Sequence, residues 1–281
     1  MLQKIYEHEF TEPQLKEEDK DLLGKGNVVS VDDRKFLKLM KENTTMIQGH
    51  YQVPLPLKDE NVKLPNALWI LQSLQKRFVR DQNFFQDYSQ FIEDMIKNEY
   101  AEPSSGEVKE GQTWYLPHHG VYLPQKPEKI RVVFDCSATC NNRSINKELL
   151  SGPDLANQIV GVLIRFRVEE IAFMADIKSM FYQVLVPPHH RSLLRFLWWK
   201  DGDFSKEILE YQMCTHIFGG SSSPSCSNYA LKKTAIDNRH KFGDMADKTL
   251  MKNCYVDDLL KSIGSGDAAI GLIGNVIKMC A

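Results

Sequence analysis

Apolar residues in the first part of the chain recur with a helical period. Between residues 65 and 100 they are spaced three or four positions apart, which predicts amphipathic helices; they are Leu68, Leu71, Leu74, Phe78, Phe84, Tyr88, Phe91 and Met95. Upstream, Asp32 or Asp33 is expected to cap a helix over Arg34–Glu42, and Pro54–Pro56 predicts an extended segment. The pattern predicts helices that cover one face of a core.

Beyond the Pro103–Gly106 loop the period changes from helical to alternating, so a sheet is expected to begin near Thr113. Residues 121–123 and 130–134 predict two short strands joined by a basic turn over 124–129. Further strands are expected at Leu193–Trp199 and Glu207–Met213, and further helices at Leu155–Phe166, Pro224–Asn238 and from a cap at Asp267 to the end of the sequence.

Acidic residues stand at two strand ends. The apolar run Ile171–Ala175 predicts a buried strand that ends at Asp176. The short runs Cys254–Val256 and Leu259–Ile263 flank Asp257-Asp258, which is typical of a tight hairpin with an acidic turn. Carboxylates from separate elements are the hard oxygen ligands that a pair of Mg²⁺ ions needs for phosphoryl transfer. By itself, an acidic pair in a turn is more typical of solvated surface.

Composition narrows the class of protein and leaves its function open. Of 281 residues, 42% are hydrophobic and 26% are charged, which is ordinary for a globular protein. The net charge of −2 gives no overall attraction to nucleic acid, so such binding would depend on local basic patches. The six cysteines form no C-x-x-C pair, which argues against a zinc knuckle. Apolar runs are too short to cross a bilayer, so an intracellular, cytoplasmic location is expected.

Four motifs resemble those of reverse transcriptases, and they occur in the same order. Residues Tyr255–Asp258 resemble the Tyr-x-Asp-Asp box, and Phe173–Phe181 resembles the first palm motif. Between them, Phe218–Pro224 is similar to the Gly-x-x-x-Ser-Pro turn that opens the palm helix, and Lys129–Asp135 resembles the basic fingers strand. The resemblance implies that the acidic pair belongs to a polymerase site.

The lineage that these motifs resemble most is the Bel/Pao type of long-terminal-repeat retrotransposon. The segments Trp114–His119, Arg131–Ala138, Gly152–Leu155 and Leu163–Arg167 carry that resemblance, which covers roughly residues 30–265. It implies an α+β fold with an antiparallel palm sheet, helices on one face, and no thumb. Protease, ribonuclease H and integrase regions of a full-length Pol polyprotein are expected outside these residues.

The resemblance also implies a division of the chain. Residues 31–110 would be a helical segment associated with the fingers, 111–168 the fingers, and 169–281 a truncated palm. Separately, the polar composition of residues 1–30, with a charge run over 16–21, predicts a linker.

The implied activity is RNA-directed DNA polymerisation by two-metal nucleotidyl transfer. Asp176, Asp257 and Asp258 would be catalytic, and together with the backbone carbonyl of Ile177 they would bind two Mg²⁺ ions, or Mn²⁺ in their place. The implied partners are an RNA or DNA template with its primer and deoxynucleoside triphosphates, with no membrane.

The resemblance assigns other residues to substrate contacts. The nucleotide would meet Arg131, Lys126 or Lys129, Phe181, Phe218 and Gly219, and the template and primer would meet Ser223, Pro224 and Tyr255. Many reverse transcriptases have glutamine where this chain has Phe218. Core packing alone also explains Phe181, and a buried strand position also explains Tyr255.

Other interpretations stay open. The chain could be a catalytically inactive remnant that keeps the fold and weak nucleic-acid binding. A two-metal nuclease also uses clustered carboxylates, but it explains neither the Gly219–Pro224 turn nor the basic strand at Arg131. We interpret His118-His119 as loop packing. The Leu193–Trp199 run is expected to be a buried palm strand rather than a stacking platform for bases.

Overall fold

The chain is represented by a computed structural model, which describes residues 22–23, 30–59, 71–104, 106, 112–124 and 126–281. Apart from residues 22, 23 and 30, the predicted linker therefore lies outside the described residues. The α-helices are α1 (Val31–Asn43), α2 (Gln72–Arg80), α3 (Gln82–Lys97), α4 (Ile145–Glu148), α5 (Ile159–Phe166), α6 (Pro188–Arg191), α7 (Ser223–Phe242), α8 (Asp244–Asn253) and α9 (Gly266–Cys280).

The strands form small antiparallel sheets. They are β1 (Thr45–Ile47), β2 (His50–Gln52), β3 (Ala101–Pro103), β4 (His118–Leu123), β5 (Lys126–Phe134), β6 (Ile171–Asp176), β7 (Arg195–Trp199), β8 (Ile208–Met213), β9 (Cys254–Tyr255) and β10 (Asp258–Ile263). Strands β1–β2 and β4–β5 are two-stranded hairpins, and two three-stranded sheets have the orders β3–β8–β7 and β6–β10–β9. Every one of these pairings is antiparallel. The expected α+β class with antiparallel sheets is confirmed.

An aromatic core joins α2 and α3 to the strands β4, β5, β7 and β8. Phe78, Tyr88 and Trp198 are fully buried there, and the rings of Tyr88 and Trp198 stack with centroids 5.3 Å apart. Such rings contribute a large buried apolar area and a specific packing geometry. The helical period of residues 71–97 is explained by this core.

A separate apolar cluster supports the β6–β10–β9 sheet. Leu250 of α8, Leu259 of β10 and Leu272 of α9 are buried in it. Strands β6 and β10 of this sheet carry Asp176 and Asp258. The predicted acidic site is therefore supported by a small apolar core that is separate from the aromatic core.

Helix caps differ from the sequence prediction. Ser30, not Asp32 or Asp33, is the N-cap of α1; its side chain accepts from the Asp33 N–H, and Asp33 completes a capping box. Ser265, not Asp267, caps α9. Serine hydroxyls compete well for this position because they reach the free N–H groups of the first turn.

The bounds, burial and sheet membership of some strands also differ from the sequence prediction. The predicted basic turn over 124–129 is shorter, because β5 already begins at Lys126, so Lys129 lies within a strand. Strand β6 was expected to be buried but is mostly exposed. Strand β7 is buried as predicted, but it belongs to the β3–β8–β7 sheet and not to the sheet that carries Asp176.

All six cysteines are free thiols. Along the described stretches, no helix has both the length and the apolar character needed to cross a bilayer.

Candidate active site

Strands β6 and β10 place two aspartates side by side. In the antiparallel register, Asp176 at the end of β6 is the direct partner of Asp258 at the start of β10. Directly opposed residues of an antiparallel pair have Cβ atoms about 4.5–5.5 Å apart. Both side chains are exposed. The predicted site residues from two distant parts of the sequence therefore lie at one edge of a single sheet.

The third aspartate lies in the hairpin turn beside them. Tyr255 pairs with Asp258, so Val256 and Asp257 form a two-residue turn between β9 and β10. The carbonyl of Asp257 accepts a hydrogen bond of 2.9 Å from the N–H of Ile177, which directly follows Asp176. The turn is thereby tied to the end of β6.

Val256 has an unusual backbone in this turn. Its φ is 55°, in the left-handed region that β-branched residues rarely adopt. Such conformations persist where the surrounding structure determines them, and they are found at functional sites. The Ile177 hydrogen bond and the β9–β10 pairing are the contacts that hold the turn in this conformation.

The carboxylates of Asp176 and Asp258 lie at the same end of two paired strands, but they do not form a preassembled metal-binding site. Within the described ranges, no three side chains among Asp, Glu, His and Cys are close enough together to hold one metal ion. Exposed side chains such as Asp176 and Asp258 change rotamer freely. The donor set is of the hard-oxygen type that Mg²⁺ requires. The predicted metal contact of the Ile177 carbonyl stays a prediction.

Two of the predicted nucleotide-binding residues are in direct contact. The rings of Phe181 and Phe218 meet edge to face, with centroids 4.4 Å apart and an interplanar angle of 86°. Phe181 is 8% exposed, whereas Phe218 is 53% exposed. The half-exposed ring of Phe218 beside the buried ring of Phe181 is an accessible apolar surface.

Gly219 brings the Phe218 turn against strand β5. Its φ is 98°, and a Cβ added to it would lie 2.4 Å from the carbonyl oxygen of Phe134. Only glycine satisfies both the backbone angle and this approach. The turn before α7 therefore packs directly on the end of β5.

Strand β5 presents basic residues on its open face. Ile130, Val132 and Phe134 are buried, while Lys129 and Arg131, on the alternate positions, are exposed. This alternation is expected for a strand with one face on a core. The side chain of Lys126 lies outside the described residues, so the choice between Lys126 and Lys129 stays open.

A groove of about 560 Å³ begins at the acidic hairpin. Tyr255, Val256 and Pro224 line it, so two of the predicted template and primer residues face the same space. Tyr255 is 38% exposed, which excludes a buried strand position for it. Ser223 is buried, with 3% exposed, and its predicted template contact stays a prediction.

One wall of this groove is formed by residues that the sequence pattern did not indicate. It consists of Asp154, Leu155, Ala156, Asn157, Gln158, Ile159 and Val160, with Asn228 of α7 beside it. The predicted helix over Leu155–Phe166 begins only at Ile159, and Asn157 donates a 2.7 Å hydrogen bond to the carbonyl of Cys254. Asp154 after Pro153 was a usable sign of a turn, since its carboxylate accepts from the Ala156 N–H.

His118 has a structural role. It lies in β4 rather than in a loop, and its ring nitrogens bond to the Tyr88 hydroxyl at 2.5 Å and to the Leu197 carbonyl at 2.9 Å. Burial lowers the pKa of His118 to about 4, so the ring is neutral at pH 7. The expectation of packing rather than metal binding agrees with these contacts.

The β7 run does not form a stacking platform. All five of its residues are buried, and Arg195 is 2% exposed. Its guanidinium makes a 2.7 Å ion pair with Glu210 of β8. These side chains are not accessible to nucleic-acid bases.

Comparisons with known proteins find similarity at the level of structure. No protein-family model matches the chain, and no curated protein matches it in sequence. Among solved structures, a foamy viral protease-reverse transcriptase in complex with double-stranded DNA superposes with a TM-score of 0.53 at 16% identity, covering 94% of this chain and 41% of that one. A mutant of the prototype foamy virus protease-reverse transcriptase gives 0.52 at 16% identity, covering 99% of this chain and 31% of that one. This chain spans less than half the length of those proteins, and its fold is similar to that of reverse transcriptases.

Proposed function

We propose that this chain is the RNA-directed DNA polymerase domain of a retrotransposon Pol protein, of the Bel/Pao type that its motifs resemble. The reaction joins a deoxynucleotide to a primer. The primer 3′ hydroxyl attacks the α-phosphate of a deoxynucleoside triphosphate, a new phosphodiester bond forms, and pyrophosphate leaves.

The observation that carries the proposal is the register of β6 and β10. It sets Asp176 opposite Asp258, with Asp257 in the adjoining turn, at the point where the groove begins. A remnant that keeps the fold would keep this register too, but it would be free to lose the carboxylates. The presence of all three aspartates supports a polymerase over the inactive-remnant alternative.

Asp176, Asp257 and Asp258 would hold two Mg²⁺ ions, with the Ile177 carbonyl as a further ligand. When bound, such ions stabilise the charge that develops on the transferring phosphate. The chain's own part is to supply negatively charged oxygens at one sheet edge and to keep the hairpin turn in place through the Ile177 N–H.

Substrates would be held on either side of this edge. Arg131, on the open face of β5, would bind the triphosphate, because a guanidinium group forms strong charge-assisted hydrogen bonds with the negatively charged phosphate oxygens. Phe181 and Phe218 would contact the deoxynucleotide sugar. The groove beside Tyr255 and Pro224 would take the template and the primer end.

The test is extension of a labelled DNA primer on an RNA template with Mg²⁺. The chain is compared with Asp257→Asn and with the matched control Asp267→Asn, an exposed aspartate on α9 that lines none of the candidate site. We expect extension with deoxynucleotides by the natural chain and by Asp267→Asn. Loss of one charged ligand should reduce extension by Asp257→Asn at least about a hundredfold.

Two results would contradict the proposal. Extension by Asp257→Asn at the natural rate would remove the assigned role of that residue. Absence of extension by the natural chain, with template–primer binding retained in a mobility-shift assay, would favour a binding remnant instead.

A further inference from the structure

One side chain outside the predicted site joins three segments around the candidate nucleotide pocket. Asn146 of α4 is partly buried. Its Nδ2 donates to the carbonyl of Gly219 at 2.9 Å and to the hydroxyl of Ser137 at 3.0 Å, and its Oδ1 accepts from the N–H of Ser221 at 2.8 Å. Both donors and the acceptor of the amide are therefore used.

The backbone of Asn146 adds a fourth connection. Its N–H donates to the carbonyl of Cys136 at 3.1 Å, in the turn that follows β5. The same turn is closed locally by Asp135, whose carboxylate accepts from the N–H groups of Ser137 and Ala138. Asn146 thus links the end of β5 to the turn that precedes α7.

The turn that Asn146 holds is the one that presents Phe218. Gly219 packs on the Phe134 carbonyl without room for a side chain, and Phe218 then meets Phe181 edge to face. Without the amide, the Gly219 carbonyl and the Ser221 N–H lose their side-chain partner, and a backbone group left without a partner favours a different turn conformation.

An amide is the side chain that fits these contacts. Aspartate at this position could still accept from the Ser221 N–H, but it would place a second acceptor against the Gly219 carbonyl. Alanine would lose all three side-chain hydrogen bonds, and only asparagine among residues of this size offers two donors and an acceptor together.

We propose that Asn146 is a positioning residue for the nucleotide pocket: it locks the Gly219–Ser221 turn to the end of β5, the strand that carries Arg131, so that the phosphate side and the sugar side of the pocket keep a fixed spacing. This inference rests on the proposed polymerase function. Asn146 itself touches no reacting atom and acts through Gly219 and Ser221.

The first test does not depend on activity. Amide hydrogen exchange is measured by mass spectrometry on the full chain, on Asn146→Ala, on Asn146→Asp and on the control Asn238→Ala. Asn238 is partly buried too, but its side chain bonds only within α7, to the Thr234 carbonyl. We expect faster exchange over residues 217–223 in Asn146→Ala and an intermediate effect in Asn146→Asp.

The acidic hairpin over residues 254–260 should keep its natural exchange in all variants. Unchanged exchange over 217–223 in both Asn146 variants would overturn the proposal. If Asn146→Ala fails to fold, Asn146→Asp still decides the question, because it keeps the Ser221 bond and loses the one to Gly219.

The second test is steady-state primer extension. For Asn146→Ala we expect the KM for the deoxynucleotide to rise about tenfold, because the Gly219–Ser221 turn loses its link to the end of β5. We expect kcat and the KM for template–primer to stay within about twofold of the natural values. A loss confined to kcat, or equal changes in Asn238→Ala, would overturn a positioning role.

The two failures are distinguishable. A natural chain that extends no primer fails the proposed function whatever Asn146 does. A natural chain that extends primers and an Asn146→Ala variant with an unchanged KM for the nucleotide fail only this inference.

Discussion

Two carboxylates of like charge lie directly opposite each other at the end of β6 and the start of β10. Like charges in directly opposed positions of an antiparallel pair destabilise it by roughly 0.2–1 kcal/mol. Asp176 and Asp258 therefore weaken the sheet that holds them. Residues retained at a cost to stability are typical of functional sites.

We expect Asp258→Asn to raise the free energy of unfolding by about 0.2–1 kcal/mol while it reduces polymerase activity, because it removes the like-charge contact with Asp176. Urea unfolding in metal-free buffer measures the change. Mg²⁺ should stabilise the natural chain more than the variant, since an ion that binds only the folded state shifts the equilibrium by mass action.

Asp267→Asn is the control for this prediction: it removes the same charge from the first turn of α9, where the helix dipole favours a negative charge, so it should not stabilise the protein. Equal stabilisation by both substitutions would mean that the effect reflects overall charge and not the contact with Asp176.

At the residue scale, local motifs predicted the acidic residues of the candidate site. Residues whose place depends on tertiary contacts could not be predicted in this way. Asp176, Asp257 and Asp258 are recognisable because each stands beside its own short motif. Asn146 and Asn157 carry no such sign, since their partners are backbone groups more than seventy residues away along the chain. No local pattern specifies such a partner.

The turn between β8 and α7 requires glycine at position 219, because no side chain fits there. In Gly219→Ala, the new Cβ would meet the Phe134 carbonyl oxygen, a backbone atom that cannot turn aside. We expect the variant to lose about 1–3 kcal/mol of stability, as in other overpacked sites, together with activity. Chemical denaturation measures the loss.

Gly243→Ala is the control for this substitution. Gly243 also has a positive φ, of 84°, but a Cβ added there meets nothing within 4 Å. The difference between the two variants isolates the close approach to β5 from the cost of the backbone angle. A loss in Gly243→Ala as large as that in Gly219→Ala would contradict this explanation.

At the element scale, the period of the sequence predicted what each segment forms better than where it is buried. Helices α2 and α3 follow the apolar spacing because one face meets the aromatic core. The apolar run of β6 predicted burial, but most of its side chains are exposed, because burial depends on what packs against a strand and not on the strand's own sequence. Strand β7, with a similar apolar character, is fully buried because helices and strands surround it.

At the scale of the whole molecule, three histidines that are buried in the described part of the chain make the fold sensitive to acid. Burial lowers the pKa values of His118, His190 and His216 to about 4 each, below the ordinary value of 6.5. The unfolded chain binds protons at these sites near pH 6.5, and the folded chain does so only near pH 4. The stability that they contribute is therefore complete above pH 6.5 and is lost as the pH falls towards 4.

The expected size is on the order of 3 kcal/mol for each histidine, from about 1.4 kcal/mol per pKa unit. Three such groups are comparable with the whole stability of a typical domain. We predict that the urea midpoint falls steeply between about pH 6.5 and pH 4.5, the range in which the unfolded state gains these protons.

Two neighbouring substitutions separate histidine from the carboxylates that also titrate in acid. His118→Gln keeps a hydrogen-bonding side chain but removes the titration, and it should flatten the dependence of stability on pH. His119→Gln alters the neighbouring exposed ring, whose charge lowers the pKa of His118 less than burial does, so most of the dependence should be kept. Identical pH profiles for the two variants would contradict the assignment to His118.

The pairing of β6 with β10 has a practical consequence for engineering. Asp176 and Asp258 are neighbours because of ladder hydrogen bonds, and the intervening chain passes through another sheet and the helices α6, α7 and α8 before it returns. The exposed connection between β7 and β8, at Ser205 and Lys206, belongs to that intervening chain. Lengthening a surface loop costs only about 0.6 kcal/mol per doubling. An affinity tag or fluorescent reporter inserted there would label the protein and leave the spacing of the two aspartates as it is.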